Sequence, residues 1–229
     1  HPTVECYNAI IESWGHDNSP ISVVRSRRWL SKLEDEAKKE KDTIATHRQY
    51  SLSPKLAPNA KSYDLYLHSC SRGLGKQPRL HAERADEAHR ILERRLSPDA
   101  RSNDIRPTTE SFNYVLRAYT RCRKDGTVAR RVMELVLRME RIQKEYLLAS
   151  SSSSAVDEED SSWKSKVAPD TKTYSMAMDG WIIKAGVEAD AWRSKKLRAM
   201  NRDRQLRAGN GRRRGRGNYD DDDDDTTNG

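Results

Sequence analysis

Apolar residues in this chain recur at a spacing that is typical of amphipathic helices. The pattern is centred on four aromatic residues, Tyr7, Tyr63, Phe112 and Tyr174, each followed by apolar residues at positions i+3, i+4 and i+7. These followers are Ile10, Ile11 and Trp14; Tyr66, Leu67 and Cys70; Val115, Leu116 and Tyr119; and Ala177, Met178 and Trp181. A strand would instead alternate apolar and polar residues. The stripe therefore predicts four helices that each bury one face.

A helix start is marked before each stripe. Four residues before the aromatics stand Thr3, Asn59, Thr108 and Asp170, residue types whose side-chain oxygen accepts from an unpaired N–H of the first helical turn. A proline precedes each of these cap residues, at positions 2, 58, 107 and 169. Because proline does not extend a preceding helix, it separates one unit from the last.

A second helix is predicted after each first one. The candidate segments are Ile21–Glu40, Leu80–Leu96, Thr127–Tyr146 and Val187–Arg202. Glycines at positions 15, 73, 126 and 186 supply the turns or helix ends within each pair. One helical hairpin does not bury its own apolar face, so neighbouring hairpins must stack. The predicted fold is all-α, an α-solenoid of about four stacked antiparallel helical hairpins.

Polar insertions set the limits of the units. We expect one helical array over residues 1–203, with repeats at about 2–57, 58–106, 107–168 and 169–203. Residues 149–166 include a run of five serines followed by an acidic cluster, and are predicted to be a disordered loop. Residues 204–229 are predicted to be a disordered tail, rich in arginine and glycine and then in aspartate.

Composition limits the function classes. Of the 229 residues, 34% are hydrophobic and 34% are charged, which favours thin layers over a single thick core. The net charge of +8 favours polyanionic partners if it is grouped on one surface, and otherwise indicates only a solvated face. The three cysteines form no C-x-x-C pair, and no apolar run approaches the ~18 residues of a membrane span. Since the chain begins at His1, we expect it to be an excerpt whose targeting segment is missing.

The first helices resemble those of pentatricopeptide repeats. The resemblance is carried by the phrases "TVECYNAIIESWG", "RPTTESFNYVLRAYTR" and "APDTKTYSMAMDGWI". The family pattern has a proline, a cap residue, two variable positions, a small hydroxyl residue, then Tyr-Asn and an aliphatic pair. The resemblance covers roughly residues 2–202. The main departure is length, because family repeats have about 35 residues and these carry insertions between units.

The resemblance implies binding to single-stranded RNA, with about one base read per repeat by two or three side chains. We call the residues that it implies the reader residues. The first of each pair follows the aromatic, and the second is the cap that opens the next repeat. They are Asn8, Asn59, Asp64, Thr108, Asn113, Asp170 and Ser175. In the family, Asn113 with Asp170 resembles a uridine-preferring pair, and Asn8 with Asn59 a pair leaning to cytidine.

The residues themselves leave other interpretations open. Capping fully explains Asn59, Thr108 and Asp170, although it does not exclude contact with a base. The residues behind the aromatics are expected on the polar side of their helices, where solvent exposure alone would account for them. Three positions before these readers, where the family usually has an aliphatic residue, stand Glu5, Lys61, Glu110 and Lys172. Looser RNA contact or a protein partner therefore stays open.

Basic segments add a second route to RNA. Positive charge lies on or beside the predicted helices in three segments, "RSRRW", the "RRL" near Arg94 and "RAYTRCRK". These residues would either neutralise phosphates or simply be solvated. The tail sequence "RAGNGRRRGRG" resembles flexible RNA-contacting segments, and Asp220–Asp225 follow it at once. This acidic run would screen the arginines, compete with RNA for them, or only keep the end soluble.

No catalytic, metal-binding or cofactor-binding residues are predicted. The chain has no H-x-E combined with P-C-x-x-C, the pattern of deaminases, and no phosphate-binding Gly-Lys-Ser/Thr loop. Its histidines are scattered among polar segments. We expect no enzyme, membrane segment or small-molecule substrate. Two classes remain: an RNA-binding adaptor in organellar RNA processing, stability or translation, and a protein-interaction solenoid in a ribosomal or other ribonucleoprotein assembly. The family implies the mitochondrion or the plastid.

Overall fold

The computed structural model describes residues 2–17, 19, 21–46, 56–72, 78–97, 105–122, 125–151 and 163–214. Within these ranges the chain forms α-helices and one short 3₁₀ turn, Lys164–Lys166, and contains no β-strand. The helices are α1 (Val4–His16), α2 (Ser22–Thr46), α3 (Ala60–Ser71), α4 (Pro78–Leu96), α5 (Thr109–Thr120), α6 (Val128–Ser151) and α7 (Thr171–Arg214). The prediction of an all-α fold is confirmed.

The helices pack as successive hairpins. Helices α1 and α2, α3 and α4, and α5 and α6 contact each other in pairs, and the first helices α1, α3 and α5 also contact one another in order. The chain divides into two compact units, His1–Ala185 and Gly186–Gly229. The three hairpins and the start of α7 belong to the first unit. The predicted stacking of helical hairpins is therefore observed there.

The predicted stripes of the second and third hairpins form the core. Tyr63, Tyr66 and Leu67 of α3 are buried, as are Phe112 and Leu116 of α5. Second helices contribute small and aliphatic side chains to the same cluster: Ala85, Ala88 and Leu92 from α4, and Val132, Leu135, Val136 and Met139 from α6. Each aromatic stripe is thus buried against its own second helix and the neighbouring hairpin.

The predicted cap residues begin the first helices. Asn59 accepts from the N–H of Ser62 at 3.0 Å, and the Ser62 hydroxyl accepts in return from the N–H of Asn59 at 3.3 Å. Thr108 and Ser111 form the same reciprocal capping box before α5. Such boxes satisfy two otherwise unpaired N–H groups at the helix start. Thr3 makes no such cap bond, and its hydroxyl instead donates to the Sγ of Cys6 at 3.5 Å.

Ion pairs at heptad spacing join the second helices. Arg27 and Glu34 of α2 pair with Glu87 and Arg94 of α4, seven residues apart on each helix. On the other side of α4, Asp86 and Glu93 pair with Arg131 and Arg138 of α6. We call these contacts the second-helix ion pairs. They hold arginines that the sequence also offered as phosphate ligands, Arg27 and Arg94 among them.

The fourth unit differs from the prediction. Helix α7 runs without a break from Thr171 to Arg214, so the predicted turn at Gly186 and the separate second helix Val187–Arg202 are wrong. The stripe residues Tyr174, Met178 and Trp181 are correspondingly 46%, 62% and 51% exposed. Helix α7 passes Gly186 without a turn, and the described part of the chain contains no separate second helix of this unit.

The predicted disordered segments are also partly ordered. Of residues 149–166, the first three end α6, and Trp163 lies in the core with the Arg106 guanidinium 5.1 Å from its ring centre. Burial of the indole explains why this end of the loop is fixed. Residues 152–162 lie outside the described residues. Helix α7 continues past the predicted tail boundary at residue 204, and residues 215–229 again lie outside the described residues.

Candidate nucleic-acid interface

Asn113 and Asp170 come together although 57 positions separate them in the sequence. The Asn113 Nδ2 donates to the two carboxylate oxygens of Asp170, at 3.2 and 3.3 Å. The Asn113 Oδ1 accepts from the hydroxyl of Thr173 at 2.8 Å, and Asp170 accepts from the N–H of Thr173 at 2.8 Å. The cap of α7 is therefore joined to the residue behind the aromatic of α5.

The two members of this pair differ in accessibility. Asn113 is 4% exposed, whereas Asp170 is exposed at the surface. Burial would raise the pKa of Asp170, but hydrogen bonds from Thr173 and Asn113 outweigh it and hold the pKa below its ordinary value. Asp170 therefore presents an ionised carboxylate to solvent, and the amide of Asn113 lies behind it.

Asp64 makes the equivalent contact one hairpin earlier. Its Oδ1 accepts from the Ser111 hydroxyl at 2.6 Å, as Asn113 accepts from Thr173. It also accepts from Arg95 Nη1 at 2.6 Å, and the Arg95 side chain is 1% exposed. The guanidinium further donates to the carbonyls of Ile105 and Arg106 at 2.6 and 3.0 Å. A buried ion pair thus uses Asp64 between the second and third hairpins.

Asn8 lies at the corresponding position of the first hairpin. It is 4% exposed, and its Oδ1 has no hydrogen-bond partner among the described residues. Asn59 is occupied by its capping box with Ser62. Ser175 follows Tyr174 in α7 and is exposed.

The residues behind the aromatics were expected on an exposed polar face, and for two of them this is wrong. Asn8 and Asn113 are buried because their position lies between the first helices of neighbouring hairpins. Asp64 is intermediate, with 23% of its side chain exposed. A hydroxyl residue of the following hairpin satisfies the polar group in two cases: Ser111 donates to Asp64, and Thr173 donates to Asn113.

The charged residues three positions before the readers lie on the surface. Lys172 and Glu110 approach each other at 3.9 Å across neighbouring first helices, with 67% and 47% of their side chains exposed. Glu5 and Lys61 are exposed at the equivalent positions. At the third and fourth units a lysine is thus paired with a glutamate, which reduces its use as a phosphate ligand.

A row of aromatic rings crosses the first helices, and sequence reasoning missed it. His16 of α1 packs edge-on against His68 of α3, with ring centres 5.8 Å apart. His68 packs in the same way against Tyr114 of α5 at 5.3 Å. We call these three residues the ring row. They take different positions in their repeats, so no fixed spacing marked them.

Arginines border the ring row. The Arg72 guanidinium is 3.3 Å from Nδ1 of His16. Burial, followed by the charge of Arg72, lowers the pKa of His68 below its ordinary value. His16 and Arg117 act in the same direction, and Glu110 opposes them. His68 therefore carries a neutral imidazole at neutral pH, with fixed positive charge beside it.

Comparisons of the chain with protein-family models, with curated proteins and with solved structures found no match. In the described ranges no group of three or more His, Cys, Asp or Glu side chains is placed to hold a metal ion. The helices that were searched, those of the described residues, include none that is both long and apolar enough to cross a membrane.

Proposed function

We propose that this chain is a single-stranded RNA-binding adaptor of the pentatricopeptide repeat type, acting in organellar RNA processing, stability or translation. The organelle, mitochondrion or plastid, is part of this proposal and rests on the family resemblance. The first-helix motifs, the capping boxes and the ordered contacts of α1, α3 and α5 support it. We assign the chain no enzymatic activity, cofactor or small-molecule substrate.

The observation that carries the proposal is the meeting of Asn113 and Asp170 at 3.2 Å. Reading one base with two side chains requires that the residue behind one aromatic lie beside the next cap. The two side chains meet although a long insertion lies between α6 and α7. Asp170 is the exposed member of the pair and Asn113 is buried behind it, so we assign the contact with the base to Asp170.

The chemistry of this pair favours uridine over cytidine. An ionised carboxylate only accepts hydrogen bonds, and the Watson–Crick edge of uracil offers an N–H between two carbonyl groups. Cytosine instead has an acceptor nitrogen at that place, which the carboxylate of Asp170 would repel. Asn113 donates to the same carboxylate and fixes its orientation. In this proposal Asp170 contacts the base, and Asn113 positions Asp170.

Selection of bound RNA from a random pool tests this assignment. Asp170→Asn should move the preference at one RNA position from uridine toward cytidine, because an amide offers both a donor and an acceptor. Folding should be retained, since Asn caps a helix as well as Asp does. Asp190→Asn is the matched control, because Asp190 is an exposed aspartate of the same helix, paired with Arg193. If the base preference of Asp170→Asn is unchanged, Asp170 acts only as a helix cap and does not contact a base.

The other reader residues contribute less in this proposal. Asp64 is held by Arg95 and Ser111, so we assign it to the joint between hairpins rather than to a base. Thr108 acts as the cap of α5. Asn8 with Asn59 remains the proposed second base-reading pair, with Asn59 as the accessible member.

A protein-interaction solenoid is the second candidate, and the exposed stripe of α7 favours it. In the two preceding hairpins the equivalent stripe is buried, partly against the following hairpin. By continuity with that interface, the partner would be a helical hairpin of another protein in a ribonucleoprotein assembly. Trp181→Lys would then abolish assembly while leaving RNA affinity unchanged, whereas the adaptor function predicts binding of RNA by the isolated chain.

A further inference from the structure

The ring row, His16, His68 and Tyr114, takes no part in the base-reading pairs, and only Tyr114 packs partly against the hydrophobic core. Its rings belong to three successive first helices, and neighbouring ring centres are 5.8 and 5.3 Å apart. His16 is exposed, and His68 and Tyr114 are partly exposed. The three rings are therefore partly accessible to solvent along a line that crosses all three hairpins.

A second histidine–tyrosine pair in the molecule lies in a different electrostatic setting. His89 and Tyr119 are also packed edge-on, with ring centres 5.8 Å apart. That pair is surrounded by the second-helix ion pairs, where Asp86 holds Arg131 and Glu93 contacts His89. Carboxylates there would repel a phosphate backbone, so the pair is explained by packing.

The setting of the ring row is more cationic. Arg72 contacts His16, Arg117 lies one helical turn after Tyr114, and both arginines disfavour protonation of His68. Two carboxylates act on this cluster: Glu110 acts on His68 and Tyr114, and Asp64 acts on Tyr114. Arg95 pairs with Asp64, and Lys172 lies 3.9 Å from Glu110. Accessible ring faces beside fixed cations are what sequence-tolerant sites for single-stranded nucleic acid use: bases stack on the rings, and arginines contact phosphates.

We propose that the ring row is a stacking site for the bases of single-stranded RNA, bordered by Arg72 and Arg117 as phosphate ligands. The inference rests on the proposed RNA-binding function and adds a site that does not discriminate between bases. Asp64 and the arginines of the second-helix ion pairs are engaged in contacts within the protein. The ring row would supply contacts to RNA that these residues do not make.

The test measures binding of fluorescein-labelled ten-nucleotide oligouridylate and oligoadenylate to the full chain at low salt. Tyr114→Leu removes a stacking face and should weaken both oligonucleotides by about tenfold, the loss expected for one stacked base. Tyr114→Phe keeps the ring and should bind within about twofold of the unmodified chain. His89→Gln is the matched control on the second helices and should leave affinity unchanged.

Inorganic polyphosphate separates stacking from charge, because it carries phosphates without bases. Tyr114→Leu should bind it as tightly as the unmodified chain does, whereas Arg72→Gln should weaken both polyphosphate and the oligonucleotides. If the unmodified chain binds RNA and Tyr114→Leu binds it equally well, the ring row is not a stacking site, and the proposed function is untouched. If the unmodified chain binds neither oligonucleotide, the proposed function and this inference both fail.

Proton NMR of the unmodified chain gives a readout that does not depend on the folding of a variant. Stacking of a base on the ring row should shift the His68 ring-proton resonances upfield. Nearby phosphates should also raise the pKa of His68, because they stabilise the imidazolium form against Arg72 and Arg117. Unchanged His68 resonances and an unchanged His68 pKa in the presence of saturating oligonucleotide would overturn the proposal.

Discussion

Replacing Arg95 by methionine should disrupt the joint between the second and third hairpins. The Arg95 guanidinium donates to Asp64, Ser111 and the carbonyls of Ile105 and Arg106. Its side chain is 1% exposed, while Asp64 keeps 23% of its side-chain exposure. Methionine retains the apolar stem but leaves the Asp64 carboxylate without its cation.

The expected loss of unfolding free energy is about 3 kcal/mol. Removal of one partner from a buried ion pair costs about 3–5 kcal/mol, and the partial hydration of Asp64 places this case at the lower end. Arg90→Met is the control on the same helix, because Arg90 pairs with Glu87 but has a side chain that is 73% exposed. An exposed pair of that kind contributes less than about 1 kcal/mol.

Urea denaturation followed by circular dichroism at the helical band measures both variants. The Arg95→Met/Asp64→Leu double variant should regain part of the loss, since it leaves no buried charge unpaired. If Arg95→Met loses no more stability than Arg90→Met, Arg95 does not hold the hairpins together. A double variant that is less stable than Arg95→Met alone would contradict the assignment of the loss to the uncompensated carboxylate.

Three further predictions concern the core, the last helix and the tail. Phe112→Ala should lower the free energy of unfolding by about 3–5 kcal/mol, because Phe112 is fully buried. Tyr174→Ala should lower it by less than about 1 kcal/mol, because Tyr174 is 46% exposed. Comparable losses for the two variants in chemical denaturation would mean that the stripe of α7 is buried in solution. Gly186→Ala should stabilise α7 by roughly 0.5–1 kcal/mol, since a Cβ there meets nothing within 4 Å. A thermal unfolding midpoint lower than that of the unmodified chain would favour the turn that the sequence suggested. Removal of residues 204–229 should lower RNA affinity in a direct titration if its arginines contribute more than its aspartates oppose, and higher affinity would show the reverse.

Helix starts were predictable from the sequence because their cause is local. A cap side chain and the N–H it accepts from are three residues apart, so Asn59 with Ser62 and Thr108 with Ser111 needed no tertiary information. Helix ends were less accurate. Helix α2 extends to Thr46 rather than residue 40, through residues 41–43 that are exposed and so left no apolar pattern to mark the helix end.

The break at Gly186 was predicted wrongly for a physical reason. Glycine ends a helix when the chain needs a left-handed residue at that point, but it also fits within a helix at a cost of about 1 kcal/mol relative to alanine. In the first three units the chain turns back and buries apolar residues of a second helix. No such burial is seen for Trp192, Leu197 or Met200, which are about 60% exposed. The sequence pattern does not reveal which outcome has the lower free energy.

The candidate site was predictable in its residues but not in its geometry. The repeat alignment identified Asn113 and Asp170, yet the burial of Asn113 and its contact with Asp170 depend on how closely α5 approaches the start of α7. The ring row depends on that packing even more, because His16, His68 and Tyr114 stand nine, five and two residues after their aromatics. Only the lateral offset between neighbouring helices brings such different positions into one line.

The central claim, that the chain binds single-stranded RNA, is tested most directly by one titration. A labelled random-sequence RNA pool is titrated with the full chain in a series of salt concentrations, and fluorescence anisotropy measures binding. The account predicts binding at low salt. The logarithm of the association constant should fall linearly with the logarithm of the salt concentration, with a slope of about −0.7 for each phosphate neutralised. Affinity weaker than about millimolar at the lowest salt concentration would contradict it and favour the protein-interaction solenoid.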